Sequence, residues 1–190
     1  MEKLAVIYWS QTGNTQAMAE AVLEGARAGG ADAQIFTVSE ITADQAAEYP
    51  RLALGCPAMG AEVLEEAEFE PFFTELEPKL SGKRVALFGS YGWGDGQWMR
   101  DWQDRVTGAG AQLFNGEGLM INETPDDSGL ADCRACGGVL PGSSPFFPIV
   151  RAVGFNKSFF KKPDRPARGL CAARRLYSTG FLRRPFPMQT

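Results

Sequence analysis

The sequence contains no histidine, and this absence excludes several kinds of chemistry. Imidazole general bases, Ser-His-Asp triads and histidine-ligated zinc sites all need that side chain. Long hydrophobic runs are also missing, since none approaches the roughly 20 residues of a membrane-spanning helix. The first apolar run, residues 4–9, is too short and wrongly flanked for a signal peptide. We therefore expect a cytoplasmic protein.

Cysteine is scarce, with 4 residues in a chain of 190. Without a secretion signal, these indicate reduced thiols rather than a disulfide framework. Cys133 and Cys136 have the spacing of a metal-binding pair, but no histidine and no second close cysteine pair could complete a zinc site. Cys56 ends an apolar run, where a packing role is the simpler interpretation. We therefore expect no metal site.

Positive charge is scarce in the first 132 residues, which carry 8 Lys/Arg against 22 Asp/Glu, a net charge of −14. Residues 133–190 carry 11 Lys/Arg against 1 Asp, a net charge of +10, together with 7 of the 12 prolines. The composition therefore predicts a domain over residues 1–140 and a basic tail, rich in Pro, Arg and Phe, over residues 141–190.

Two interpretations of the tail remain open. Basic residues with aromatic residues between them are typical of segments that bind nucleic acid or an anionic membrane surface. The loss of hydrophobic periodicity and the bias toward Arg, Pro, Gly and Ser instead favour a disordered segment, or read-through or out-of-frame sequence. For the acidic domain itself we expect a monomer that binds neither nucleic acid nor membranes.

Within the first 140 residues, short apolar runs alternate with helical stripes. The runs that predict strands cover residues 4–9, 35–38, 52–56, 85–88 and, in a broken form, 112–121. Between them apolar residues recur at i, i+3, i+4 and i+7, which predicts helices; one such stripe consists of Phe69, Phe72, Phe73 and Leu76. This alternation is typical of an open parallel α/β sheet, which binds ligands at the carboxyl ends of its strands.

The loop after the first strand combines hydroxyls, side-chain amides and a glycine at the start of a helix. It consists of Ser10, Gln11, Thr12, Gly13, Asn14 and Thr15. Such neutral donors, with the free N–H groups of a helix N-terminus, suit a terminal phosphate. The loop lacks the Gly-Lys-Ser/Thr of nucleoside triphosphate loops and the GxGxxG of dinucleotide loops. Taken alone, an ordinary helix cap explains it equally well.

Two further loops at the same edge carry residues suited to a flat ring. After the third strand, Met59 can cover one ring face and Gly60 can reorient its peptide. In the same loop, Glu62 can accept a hydrogen bond from a ring imide N–H. After the fourth strand, Trp93 stands between glycines and can stack on the other face. A tight turn with Met59 buried and a mobile loop with an incidental aromatic residue are the alternatives. Together the three loops predict flavin mononucleotide (FMN).

Residues 1 to about 137 resemble a short-chain flavodoxin of the anaerobe type. The motifs that carry the resemblance are YWSQTGNT at residues 8–15, GCPAMG at 55–60, EPFF at 70–73 and FGSYGWG at 88–94. The unbroken passage over residues 112–122 leaves no room for the insertion of long-chain members. The resemblance implies an open parallel five-stranded α/β sheet, in the order 2-1-3-4-5, with helices on both faces.

The resemblance also implies which residues bind FMN. They are Ser10, Gln11, Thr12, Gly13, Asn14, Thr15, Ala58, Met59, Gly60, Glu62, Ser90, Tyr91, Gly92, Trp93 and Gly94. The first loop would hold the phosphate with help from Ser90, and Met59 and Trp93 would enclose the isoalloxazine ring. Glu62 would bind its N3–H. The Gly60 carbonyl would turn toward flavin N5–H and stabilise the neutral semiquinone.

The function implied by the resemblance is a low-potential one-electron carrier, not an enzyme. Five glutamates lie between residues 62 and 70 with no Lys or Arg among them. Such a field would lower the potential of the ring and steer redox partner proteins to the exposed flavin edge. The alternative is an FMN-dependent NAD(P)H:quinone-type reductase, which would oxidise NAD(P)H without a second protein.

Overall fold

The computed structural model describes residues 2–140, in which strands and helices alternate. The strands are β1 (Lys3–Tyr8), β2 (Asp32–Thr37), β3 (Arg51–Gly55), β4 (Arg84–Tyr91), β5 (Gln112–Leu113) and β6 (Leu119–Asn122). The helices are α1 (Asn14–Ala28), α2 (Ala43–Ala47), α3 (Phe69–Leu76), α4 (Gln97–Gly108) and α5 (Asp127–Val139). The interpretations of the tail, residues 141–190, concern a part of the chain outside the described residues.

The strands form one parallel sheet in the order β2-β1-β3-β4-β5, which confirms the expected order. The fifth strand is broken, as the sequence predicts, because a short 3₁₀ turn with Asn115 at a φ of 57° separates its two pieces. β5 pairs with the start of β4, and β6 pairs with the end of β4. Both pieces therefore lie on the same side of β4.

Helices cover both faces of the sheet because alternate residues of each central strand point in opposite directions. Leu4 and Val6 of β1 pack against α1 and α5. Ala5 and Ile7 of the same strand pack against α2, α3 and α4. None of the helices within residues 2–140 has the length and apolar content needed to cross a bilayer.

The aromatic stripe of α3 is buried as the sequence predicts. The indole of Trp102 meets the rings of Phe69 and Phe73 edge-on, with centroids 5.3 and 5.8 Å away. Hydrophobic periodicity gave no sign of α2, because its 5 residues are fewer than two turns. Its signal is the capping box of Thr42 and Gln45, in which each residue's backbone N–H donates to the other's side chain.

Helices α1 and α5 approach so closely that glycine backbones form the contact. A Cβ on Gly25 would overlap the carbonyl oxygen of Arg134, and a Cβ on Gly137 would overlap that of Val22. Because α1 begins within residues 10–15, this seam between the helices helps to set the position of the first loop.

Substituting Gly137 with Ala should destabilise the fold. The new methyl group has to push the backbone of α1 away, which costs about 1–3 kcal/mol in a packed interior. Gly108→Ala is the matched control, because nothing lies within 4 Å of a Cβ at that helical position. Urea unfolding of the parent chain and the two variants measures the loss of stability. Equal unfolding midpoints for Gly137→Ala and the parent chain would contradict the close contact between α1 and α5.

Candidate functional site

Three loops, together with Glu123 after β6, line a cleft of about 270 Å³ at the carboxyl-terminal edge of the sheet. The loops follow β1, β3 and β4, which are direct neighbours in the sheet. The lining residues are Ser10, Gln11, Thr12, Asn14, Thr15, Pro57, Ala58, Met59, Ser90, Tyr91, Gly92 and Glu123. The structure therefore brings together the loops that the sequence singles out.

The first loop leads directly into α1 through Gly13, which adopts a left-handed φ of 90°. Its N–H donates to Ser10 Oγ at 3.1 Å, and its carbonyl accepts from Ala17 N at 2.9 Å. The Gly13 cap provides no side-chain hydrogen bond to α1. The first amides of α1 therefore point toward the cleft end of the helix, where the helix dipole favours an anion.

A hydroxyl pair joins the first turn of α1 to the end of β4. Thr15 Oγ1 and Ser90 Oγ lie 3.2 Å apart, and both residues are buried and line the cleft. Each hydroxyl can donate one hydrogen bond and accept others, so the pair retains capacity for a ligand. The lining residues include no Lys and no Arg.

The loop after β3 is a closed turn. Met59 N–H donates to Val63 O at 2.9 Å, and Val63 N–H donates to Met59 O at 3.0 Å. Gly60 and Glu62, inside this turn, have left-handed φ values of 45° and 56°. Met59 is half-buried and lines the cleft, whereas Gly60 and Glu62 are not among the lining residues.

The loop after β4 presents an exposed tryptophan. Trp93 follows Gly92, which lines the cleft, and its side chain is 65% exposed. Gly94 and Gly96 have φ values of 92° and 89°, which non-glycine residues rarely adopt. Neither Trp93 nor Gly94 is among the lining residues, so this loop borders the cleft rather than closing it.

Two lining residues, Pro57 and Glu123, do not appear among the site residues expected from the sequence. Glu123 follows β6 with a φ of 54°, and its N–H donates to Tyr91 O at 2.7 Å. The available signal is its position: a residue after the second piece of the fifth strand lies at the same sheet edge as the other loops.

The described domain has clear relatives among known proteins. The family model described as flavodoxin matches residues 6–137. The flavodoxin of Clostridium beijerinckii is 49% identical over 125 residues, which cover 66% of this chain and 90% of that protein. The chain belongs to the flavodoxin family. Its membership implies a flavin cofactor and an electron-transfer role.

Megasphaera elsdenii flavodoxin is similar to this chain both in sequence and in structure. The sequences are 45% identical over 132 residues, which cover 70% of this chain and 93% of the relative. The solution structure of the two-electron reduced protein superposes with a TM-score of 0.66, covering 72% of this chain and 97% of that one at 44% identity. Residues 141–190 lie beyond the family match.

Glu65 of this flavodoxin is buried and caps α3. Its carboxylate accepts hydrogen bonds from the N–H groups of Ala67, Glu68 and Phe69 at 2.8, 2.8 and 2.9 Å. Burial alone would raise the pKa of this carboxyl, but the three backbone hydrogen bonds outweigh burial and lower it. Glu65 is therefore a structural anion and not part of a solvated acidic face.

Glu70 is paired within the fold with a cation that it shares with Glu77. Arg105 of α4 donates to Glu70 Oε2 at 2.9 Å and to Glu77 Oε2 at 2.8 Å, and its guanidinium lies 4.6 Å from the centre of the Phe73 ring. No Lys or Arg separates the glutamates of residues 62–70 in sequence, but Arg105 contacts Glu70, the last of them, in space. The acidic field beside the cleft is therefore weaker than the sequence predicts.

The described cysteines are buried and protonated at neutral pH. Burial raises the pKa of the Cys133 thiol and of the Cys136 thiol to about 12. Burial also raises the pKa of Cys56, whose side chain is enclosed at the end of β3. Within residues 2–140 no three His, Cys, Asp or Glu side chains are grouped closely enough to hold a metal ion.

Replacing Glu65 with Gln should destabilise this flavodoxin by about 1–2 kcal/mol at neutral pH, the usual cost of a lost cap. Because the folded-state pKa is lowered, the ionised carboxylate stabilises the fold above its unfolded pKa of about 4.3. This stabilisation is lost as the pH falls through the folded pKa. Unfolding free energies measured from about pH 7 to about pH 3 should therefore converge for the variant and the parent.

Glu66→Gln is the control, because Glu66 is exposed in the same segment. Its unfolding free energy should follow that of the parent chain throughout the pH range. If the unfolding free energies of Glu65→Gln and the parent differ by the same amount at every pH, the stabilising role of the charged carboxylate is contradicted.

Proposed function

We propose that this flavodoxin binds FMN in the cleft and carries single electrons at low potential between redox proteins. The observation that carries the proposal is the composition of the cleft lining. It combines the amino terminus of α1 and the buried hydroxyl pair of Thr15 and Ser90 with the larger side chains of Met59 and Tyr91. A phosphate with a flat ring fits this arrangement.

The phosphate would lie at the α1 end and be held by neutral donors. The hydroxyls of Ser10, Thr12, Thr15 and Ser90 all belong to lining residues, and the amides of α1 add N–H donors. Hydrogen bonds to a charged acceptor contribute about 1.5–3 kcal/mol each, so several of them can bind a dianion without a cation. This donor set supports FMN over an unphosphorylated flavin.

The ring would lie between the loops after β3 and β4. Met59 would cover one face and Trp93 the other, since an exposed indole offers a large flat surface for stacking. Gly60 lacks a Cβ and can reorient its peptide at little cost, so its carbonyl would turn toward flavin N5–H. Bound FMN would supply the reversible one-electron chemistry.

Partner proteins would dock at the exposed ring edge. Glu66 and Glu68 are exposed near the loop after β3 in sequence, and their charge would attract basic surfaces of redox partners, whereas the Asp95 carboxylate is paired with Arg100 at 2.7 Å. The cleft lining holds a single carboxylate, that of Glu123, and no Lys, Arg or Cys. The scarcity of acid–base groups in the cleft lining favours an electron carrier over a reductase.

Ser90→Ala should weaken FMN binding by about 10- to 100-fold, because it removes a hydroxyl donor to a charged acceptor. Riboflavin, which lacks the phosphate, should bind the variant and the parent equally well. Titration of the flavin-free protein with each flavin, followed by quenching of flavin fluorescence, gives the dissociation constants. An equal loss of affinity for both flavins would place the phosphate elsewhere.

Trp93→Ala should weaken FMN binding by about 1–3 kcal/mol, the range found for the loss of aromatic stacking on a base. Trp93→Phe keeps a stacking ring and should lose less. Both variants should unfold at the parent's urea concentration, since the side chain is 65% exposed. A dissociation constant of Trp93→Ala that equals the parent's would rule out the stacking role.

A further inference from the structure

Glu62 reaches from the loop after β3 to the helix that follows β4. Its Oε1 accepts hydrogen bonds from Gly96 N at 2.9 Å and from Gln97 N at 3.2 Å. These amides stand at the amino terminus of α4, where an anion is favourable because the helix dipole is positive there. The N-cap residue, Gly96, has no side chain that could serve instead.

The backbone around this contact is shaped to admit the carboxylate. Glu62 itself has a φ of 56°, a conformation that costs a non-glycine residue free energy and persists where surrounding contacts enforce it. A Cβ on Gly94 would overlap the carboxylate of Glu62. The left-handed backbone of Glu62 and the missing side chain of Gly94 therefore both fit this one contact.

A second contact fastens the same two segments. Trp98 Nε1, in the first turn of α4, donates to the carbonyl oxygen of Cys56 at 3.3 Å, and both residues are buried. The loop after β3 is thus attached to α4 at its start through Cys56 and in its middle through Glu62. Trp93 lies in the segment between the end of β4 and these attachment points.

We propose that Glu62 is a positioning residue, which ties the two ring loops together and so holds the loop of residues 92–96, with Trp93, in place for the flavin ring. The proposal rests on the proposed function, because it assumes that the ring lies between these loops. Oε1 serves α4, and Oε2 of the same carboxylate is left for the ring imide N–H. Ring binding and order at the start of α4 are then coupled through one side chain, and each strengthens the other.

Amide hydrogen exchange in the flavin-free full chain tests the tie without the cofactor. Glu62→Ala should speed exchange at Gly96 and Gln97 by about tenfold, the equivalent of one lost helix cap. Glu62→Gln retains an acceptor oxygen and should speed exchange by less. Glu66→Ala removes the same charge from an exposed neighbour and should leave both amides unchanged. Equal exchange in Glu62→Ala and Glu66→Ala would overturn the proposal.

A double-mutant cycle with Gly94 supplies a second readout. Gly94→Ala displaces the Glu62 carboxylate, so it should weaken FMN binding more in the parent than in Glu62→Ala, where there is no carboxylate to displace. Equal losses in the two backgrounds would overturn the proposal. A parent chain that binds no FMN would instead overturn the proposed function, and the exchange measurement would still decide whether Glu62 orders α4.

Discussion

The parallel register of β1, β3 and β4 is the constraint on which the site depends. Tyr8 pairs with Gly55, and Gly55 pairs with Phe88, so β1 and β3 end at the same level, while β4 continues past them to Tyr91. The Phe88 ring occupies the space where a Cβ of Gly55 would lie, which lets neighbouring strands carry a large and an absent side chain together. Loops that are far apart along the chain are thereby brought to one edge of the sheet, where a ligand can contact all of them.

Acidic residues serve two separate purposes in this flavodoxin. Glu65 is buried and binds the backbone amides of the segment that leads into α3, and the partly exposed Glu70 ties α3 to α4 through Arg105. Exposed neighbours such as Glu66 and Glu68 remain in solvent and contribute to the field that a docking partner meets. The net charge of −14 in the first 132 residues therefore overstates the charge available for steering.

Most of the fold can be predicted from local patterns in the sequence. Contacts between distant segments are the main part that the sequence does not indicate. The stripe of α3 and the strand runs are periodic within a few residues, so the sequence indicates them directly. The compositions of the three loops likewise indicate the cleft, because each loop carries its polar or aromatic residues within a few positions. The bond from Gly96 to Glu62 joins residues 34 positions apart, and the contact of Arg105 with Glu70 spans 35, so neither leaves a local pattern.

A potentiometric titration of the FMN-loaded full chain, followed by visible absorbance, tests the central claim most directly. A one-electron carrier must take up its two electrons in separate steps, so the account predicts two resolved midpoint potentials, the second of them lowered by the acidic surroundings of the ring. Uptake of both electrons in a single unresolved step would contradict the account. Such a result would instead indicate the two-electron behaviour of a reductase.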